Sequence, residues 1–212
     1  MKITKLVHSC LLVEMPAPVS RTALFDPGSM STVPIDTLEY LDDIIITHSH
    51  SDHFDLETVK RLVAKFPNVH ITAPDDVVEA LNVESIPATS AASEGIAFFA
   101  SPHAEIQPLQ PAAPPPEIGV HYLDKLTHPG DSHTFRETKA ILALPVQAPW
   151  GSPNDAVKVA LELKPRYVIP IHDWHWSDAA RASMYERFQK TLAPSGITCI
   201  GPVNGEPFVI DL

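Results

Sequence analysis

The sequence is poor in cysteine, poor in basic residues and free of any long apolar run. Its two cysteines are Cys10 and Cys199. Each lies in an apolar, strand-like stretch and neither forms a CxxC pair, which excludes a disulfide framework and a thiolate zinc finger and predicts two buried thiols. Lys and Arg number 15 against 26 Asp and Glu, a formal net charge of −11 with histidine neutral. No cluster of Lys or Arg interrupts that acidity. A general nucleic-acid binder needs a basic face to neutralise phosphates, so that class is excluded, and attraction to anionic membranes with it. The start, MKITKLVHSC, alternates apolar and polar residues and predicts neither a signal peptide nor a transmembrane helix, hence a cytoplasmic protein.

What the chain does have is histidine, 11 of 212 residues, and proline, 22 of 212, both in excess of average usage. Apolar residues make up 44% of it, enough for a substantial core, and the length predicts a single domain over residues 1–212.

Periodicity predicts strands at Lys2 to Leu6, Cys10 to Glu14 and Thr22 to Phe25, the third stopping at the turn signal Asp26-Pro27-Gly28. Asp42 to Thr47 (DDIIIT) predicts a strand buried on both faces. Asp55 caps a predicted helix in which Leu56, Val59, Leu62, Val63 and Phe66 recur at helical spacing until Pro67. Then follow a strand at Val69 to Ala73, a short helix at Asp75 to Leu81 and a buried strand at Gly95 to Ala100. Pro108 to Pro116 has neither periodicity nor donors for regular structure and predicts one loop. Strands are predicted again at Ile118 to Leu123, Lys125 to His128, Ala140 to Val146, Tyr167 to Ile171, Ile197 to Ile200 and Pro207 to Ile210. Helices are predicted at Asn154 to Leu163 and Asp178 to Leu192. Strand runs followed by helices suit two sheets packed face to face with helices outside.

Directly after the DDIII strand the chain reads THSHSDH, placing His48, His50, Asp52 and His53 within six residues. In an extended or tightly turned loop, residues two apart project to one side, so His48 and His50 can face one metal while Asp52 and His53 turn towards a second. Imidazole nitrogen and carboxylate oxygen suit zinc, with iron or manganese as alternatives, and the lack of thiolates points away from a structural zinc site. The plain alternative is a loop that collects polar residues.

These residues resemble the signature of the metallo-β-lactamase superfamily, an HxHxDH loop followed by separated ligands. The early Asp ending a strand looks like Asp26 in LFDPG. The later motifs look like His103 in FFASPHAE, Asp131 in HPGDSH and His172 in VIPIHDW. The resemblance implies an α+β fold, a four-layer αββα sandwich of two mixed sheets flanked by helices. It implies one metal on His48, His50 and His103, a second on Asp52, His53 and His172, Asp131 bridging the two, and Asp26 orienting a ligand imidazole. Taken singly, His103 has the alternative of a surface histidine, Asp131 that of part of a turn and Asp26 that of the first residue of a type I turn.

The chemistry implied is hydrolysis by a hydroxide shared between two metals, with Asp52 as catalytic residue orienting it and taking its proton. The motifs HFD, HPGDS and PIHD look most like compact metal-dependent hydrolases of the branch containing ascorbate-6-phosphate lactonase. A small metabolite with a lactone, ester or phosphodiester bond is the expected substrate. A nuclease or phosphodiesterase of the same fold is the rival, as is a non-catalytic metal-binding or regulatory module. No nucleic-acid or membrane partner is expected, and a homo-oligomer is open. His8, His133 and His175 are candidates for lining the pocket, with ordinary packing as the alternative. So are Trp150, Trp174 and Trp176. The Pro108 to Pro116 loop is read as a roof over the site, a contact with a neighbouring subunit or a stiff surface connection.

Overall fold

The computed structural model describes residues 1–212. It falls into two compact units, Met1–Ala92 with Val203–Leu212, and Ser93–Pro202. Each is built on a six-stranded mixed sheet, so the expected α+β class of two mixed sheets with helices is what the chain forms.

In the first unit β1 (Lys2–Val7) and β2 (Cys10–Met15) form an antiparallel hairpin, β3 (Arg21–Phe25) joins antiparallel, and β4 (Asp43–Ile45) and β5 (His70–Thr72) add in parallel. The C-terminal strand β12 (Pro207–Val209) returns to pair with β1, giving the order β12-β1-β2-β3-β4-β5. Helix α1 (Leu56–Lys65) starts where Asp55 accepts a hydrogen bond from the Thr58 amide, the predicted cap, and ends before Pro67. It buries Val59 and Leu62, and α2 (Asp75–Val83) buries Val77 and Leu81, in one apolar cluster with Leu24, Ile44 and Ile46 of the sheet. Each of these full burials contributes roughly 2 kcal/mol. Residues on the other face of the sheet, Ile3, Leu11, Val13, Phe25 and Ile45, are equally shut from solvent. That is why the DDIII strand is apolar without alternation.

In the second unit the order is β11-β10-β9-β8-β7-β6. β6 (Ile96–Phe99), β7 (Gly119–Tyr122) and β8 (Leu126–His128) run antiparallel, and β9 (Ile141–Pro145), β10 (Tyr167–Ile171) and β11 (Thr198–Cys199) continue in parallel. Helix α3 (Pro153–Leu163) is capped by Ser152, and α4 (Asp178–Leu192) by Ser177. Ala156, Val159 and Ala160 of α3 join Tyr185, Phe188 and Leu192 of α4 over Leu142, Leu144 and Val168 of the sheet. One expectation is corrected. GIAFFA is not a buried strand: β6 is an edge strand whose Ala97 is exposed and whose two phenylalanines are half-buried. Its run of apolar residues is explained by packing on one side, Phe99 touching Phe135 and the ring of His121.

Both cysteines are free and buried, as expected, and burial raises the thiol of Cys199 to about 12 and that of Cys10 still further. The Pro108 to Pro116 segment carries no helix or strand. No helix is long and apolar enough to cross a membrane.

Candidate metal centre

Past β4 the Ile46 amide still donates to the Thr72 carbonyl of β5 at 2.9 Å. The amide of Thr47 donates to Asp26 Oδ1 at 2.8 Å instead of to a neighbouring strand, and the chain leaves the sheet there. It then turns tightly, the amides of His53 and Phe54 both donating to the His50 carbonyl at 2.9 and 2.8 Å. The Asp26-Pro27-Gly28 turn clamps this loop from the side: Ser29 donates to the Ser51 carbonyl at 2.7 Å and Asp55 to that of Pro27 at 3.1 Å. Gly28 lies so close that a Cβ there would sit 1.8 Å from the Asp52 carbonyl oxygen. Close approach, not turn geometry, requires a glycine at this position.

Asp26 is fully buried and gathers three donors. Besides the Thr47 amide, its Oδ2 accepts from Thr47 Oγ1 at 2.9 Å and from His53 Nδ1 at 2.8 Å. Thr47 Oγ1 in turn stands 3.1 Å from His48 Nδ1. One carboxylate thereby contacts the His53 imidazole directly and that of His48 through Thr47, and Asp26 itself takes a left-handed backbone (φ 43°). His48 and His53 are buried, while His50 and Asp52 are half-buried. The rings of His48 and His50 meet edge to face at 4.8 Å between centroids. Asp52 Oδ2 lies 3.9 Å from His53 Nε2 and 3.0 Å from Nε2 of His8, a fully buried residue in the β1–β2 turn.

The second unit holds its own donor group. His103 follows β6, and its Nδ1 donates to the Ala104 carbonyl at 2.6 Å, while the Ala104 amide ties back to the Asp131 carbonyl at 2.9 Å. Asp131 is reached through Gly130 in a left-handed turn (φ 67°), and its amide donates to Glu117 Oε2 at 2.7 Å. His172 ends β10 with φ 60°, its Nδ1 donating to the Gln147 carbonyl at 2.6 Å. Asp131 Oδ2 lies 3.0 Å from His172 Nε2 and 3.8 Å from His103 Nε2. Behind His172, buried Asp173 accepts from the Tyr185 hydroxyl and pairs with Arg181 Nε at 3.2 Å, which fastens the strand end to α4.

Chemically this donor set suits a divalent metal. The Nδ1 atoms of His53, His103 and His172 face a carboxylate or carbonyl oxygen and that of His48 faces a threonine hydroxyl, which fixes Nδ1–H and leaves the Nε2 lone pair as the ligand atom. In the second unit two of those Nε2 atoms and one carboxylate oxygen converge.

Of the open histidines, His133 donates through Nε2 to the Pro145 carbonyl at 2.8 Å, and its burial pushes its pKa below the ordinary 6.5. Trp150 meets both His133 and His172 edge to face, at 5.1 and 5.6 Å. Trp176 packs on Phe188 with the core, and Trp174 lies exposed against the exposed His175. Sequence reasoning missed Glu117 and Asp173 and left His8 open.

Residues 2–172 match the model of the Beta-lactamase superfamily domain, and the chain belongs to that family. Its fold is the metallo-β-lactamase fold. It is 28% identical to Protein Rv0786c of Mycobacterium tuberculosis, over 88% of this chain and 91% of that one. It is 25% identical to the UPF0173 metal-dependent hydrolase NEQ378 of Nanoarchaeum equitans, over 94% of this chain and 95% of the relative. Among solved structures, the metallo hydrolase Igni18 of the archaeon Ignicoccus hospitalis superposes with a TM-score of 0.70 at 19% identity, covering 99% of both chains, a likeness of fold.

Proposed function

We infer that this chain is a metal-dependent hydrolase acting on a small metabolite, with a lactone, ester or phosphodiester as the bond broken. The observation that carries the reading is the anchoring of four imidazoles through Nδ1, so that each presents Nε2 as a neutral ligand atom. Structural histidines have no need of such uniform orientation. The family's name and that of its archaeal relative support hydrolysis.

His48, His50 and His103 would hold one divalent ion and Asp52, His53 and His172 the other, with Asp131 shared. Zinc is the first choice for nitrogen and oxygen donors, with manganese or iron next. When bound, two such ions supply a water acidified to near neutrality and a Lewis acid for the scissile carbonyl or phosphoryl oxygen. The protein's own contribution is orientation. Asp26 keeps the His53 and His48 rings fixed, Glu117 holds the Asp131 turn, and the half-buried Asp52 carboxylate orients the nucleophilic water and takes its proton. Trp150, edge-on to His172, offers an apolar wall beside the reacting group.

The test is metal content followed by turnover. The purified protein should hold about two equivalents of divalent metal and hydrolyse at least one class among p-nitrophenyl phosphodiesters, lactones and thioesters. His48→Ala and Asp131→Ala should abolish that turnover. Less than one equivalent with no uptake on adding metal, or equal turnover in wild type and variants, would sink the reading. Two equivalents with no turnover on any class would point to a binding module.

A further inference from the structure

The ligand set derived from the family pattern begins at His48 and leaves His8 out. The structure gives this residue the environment of a ligand. His8 is fully buried although it sits in a two-residue turn between β1 and β2, a place where polar side chains ordinarily face water. Its backbone takes the left-handed conformation (φ 56°). The Nε2 atom then lies 3.0 Å from Asp52 Oδ2, the same carboxylate oxygen that lies 3.9 Å from His53 Nε2. The ligand atoms of His8, Asp52 and His53 all fall within 4.8 Å of one another, and the His8 and His53 rings meet edge to face at 5.4 Å.

The second unit contains the same fan. There Asp131 Oδ2 lies 3.0 Å from His172 Nε2 and 3.8 Å from His103 Nε2, each distance within 0.1 Å of its counterpart around Asp52. His8 and His53 thus share one oxygen of Asp52, as His172 and His103 share one of Asp131.

The geometry points to His8 as a further protein ligand, completing a His8–Asp52–His53 triad for one divalent metal ion. This rests on the metal-centre reading above and adds a donor to it. An ion held by this triad has three protein ligands from the first unit alone. It should therefore be the more firmly retained of the two, and its affinity should depend on residue 8.

Zinc titration of the full chain against a competing chelator, together with the visible spectrum of the cobalt(II) form, tests this with His8→Asn and His8→Gln. Asparagine tolerates the left-handed backbone. The glutamine amide can still donate to Asp52 but ligates poorly. Both variants should keep one equivalent at wild-type affinity and bind the other at least about tenfold more weakly, with the cobalt absorption of that equivalent altered. Thermal unfolding of the metal-free forms confirms that the variants fold. Two equivalents at wild-type affinity in both variants would overturn the inference. So would recovery in His8→Gln but not His8→Asn, which would make His8 a positioning residue for Asp52. A wild-type protein that binds no zinc would overturn the metal centre itself, a distinct result.

Discussion

Gly28 and Asp26, two residues apart in one turn, control the metal loop in different ways, and each can be tested alone. A methyl group at position 28 would overlap the Asp52 carbonyl, a backbone atom that cannot move without displacing the whole HxHxDH turn. Gly28→Ala should therefore cost metal binding out of proportion to its size, dropping retained zinc towards one equivalent or none by elemental analysis. Asp26→Asn replaces a carboxylate oxygen facing two donors with an amide that must itself donate. His53 and His48 then lose their fixed orientation, and zinc affinity should fall by about 10- to 100-fold in chelator competition. Residues of the HxHxDH cluster and the late motifs were legible because their spacing, and their places after strands, carry information. His8 was not, since a lone histidine in a hairpin has no spacing. The usable clue was its position in a tight turn that calls for a residue tolerant of positive φ. Glu117 and Asp173 were hidden for another reason: their partners lie 14 and 12 residues away along the chain, a pairing that only the fold establishes.

At the scale of elements, apolar patterning located the strands and helices within a residue or two. Asp55, Ser152 and Ser177 show why the helix starts were visible, for each cap is local chemistry between neighbours. Which strand lies at an edge is a property of the sheet order, and GIAFFA was misread as buried for that reason. Where the chain leaves the sheet after β4 likewise depends on Asp26, 21 residues before Thr47. An ion pair joins the same two strands at their other end: Arg21 grips fully buried Asp43 with Nε and Nη2 at 2.6 and 2.7 Å. Arg21→Ala strands that carboxylate without its cation and should lower stability by about 3 kcal/mol in urea unfolding. Arg21→Lys should recover only part of this, because an ammonium cannot make the two-pronged contact.

For the whole molecule, the net charge of −11 has a consequence for metal removal. Withdrawing the proposed metal ions would leave the carboxylates and imidazoles of the two donor groups facing one another without that compensation. A chelator should lower the melting temperature, and restored zinc should raise it in proportion to the logarithm of free metal. Acidification acts elsewhere as well. His121, buried against Phe99, has its pKa held below 6.5 chiefly by desolvation, so the unfolded chain takes up a proton that the folded chain refuses. Stability should fall as pH drops below 6.5 and level off once the depressed pKa is passed. His121→Gln should flatten that part of the wild-type profile in pH-dependent denaturation.

His8, Asp26 and His172 all adopt left-handed backbones, at φ 56°, 43° and 60°. Such conformations cost a residue with a side chain about 1 kcal/mol each, somewhat less for Asp and His than for bulkier types. Glycine at any of the three would relieve that strain while deleting a side chain from the donor network. Drift under selection for stability alone thus runs towards a sturdier chain with an emptier centre. A descendant that has lost its chemistry should be recognisable by glycines at positions 8, 26 and 172, long before its fold shows any change.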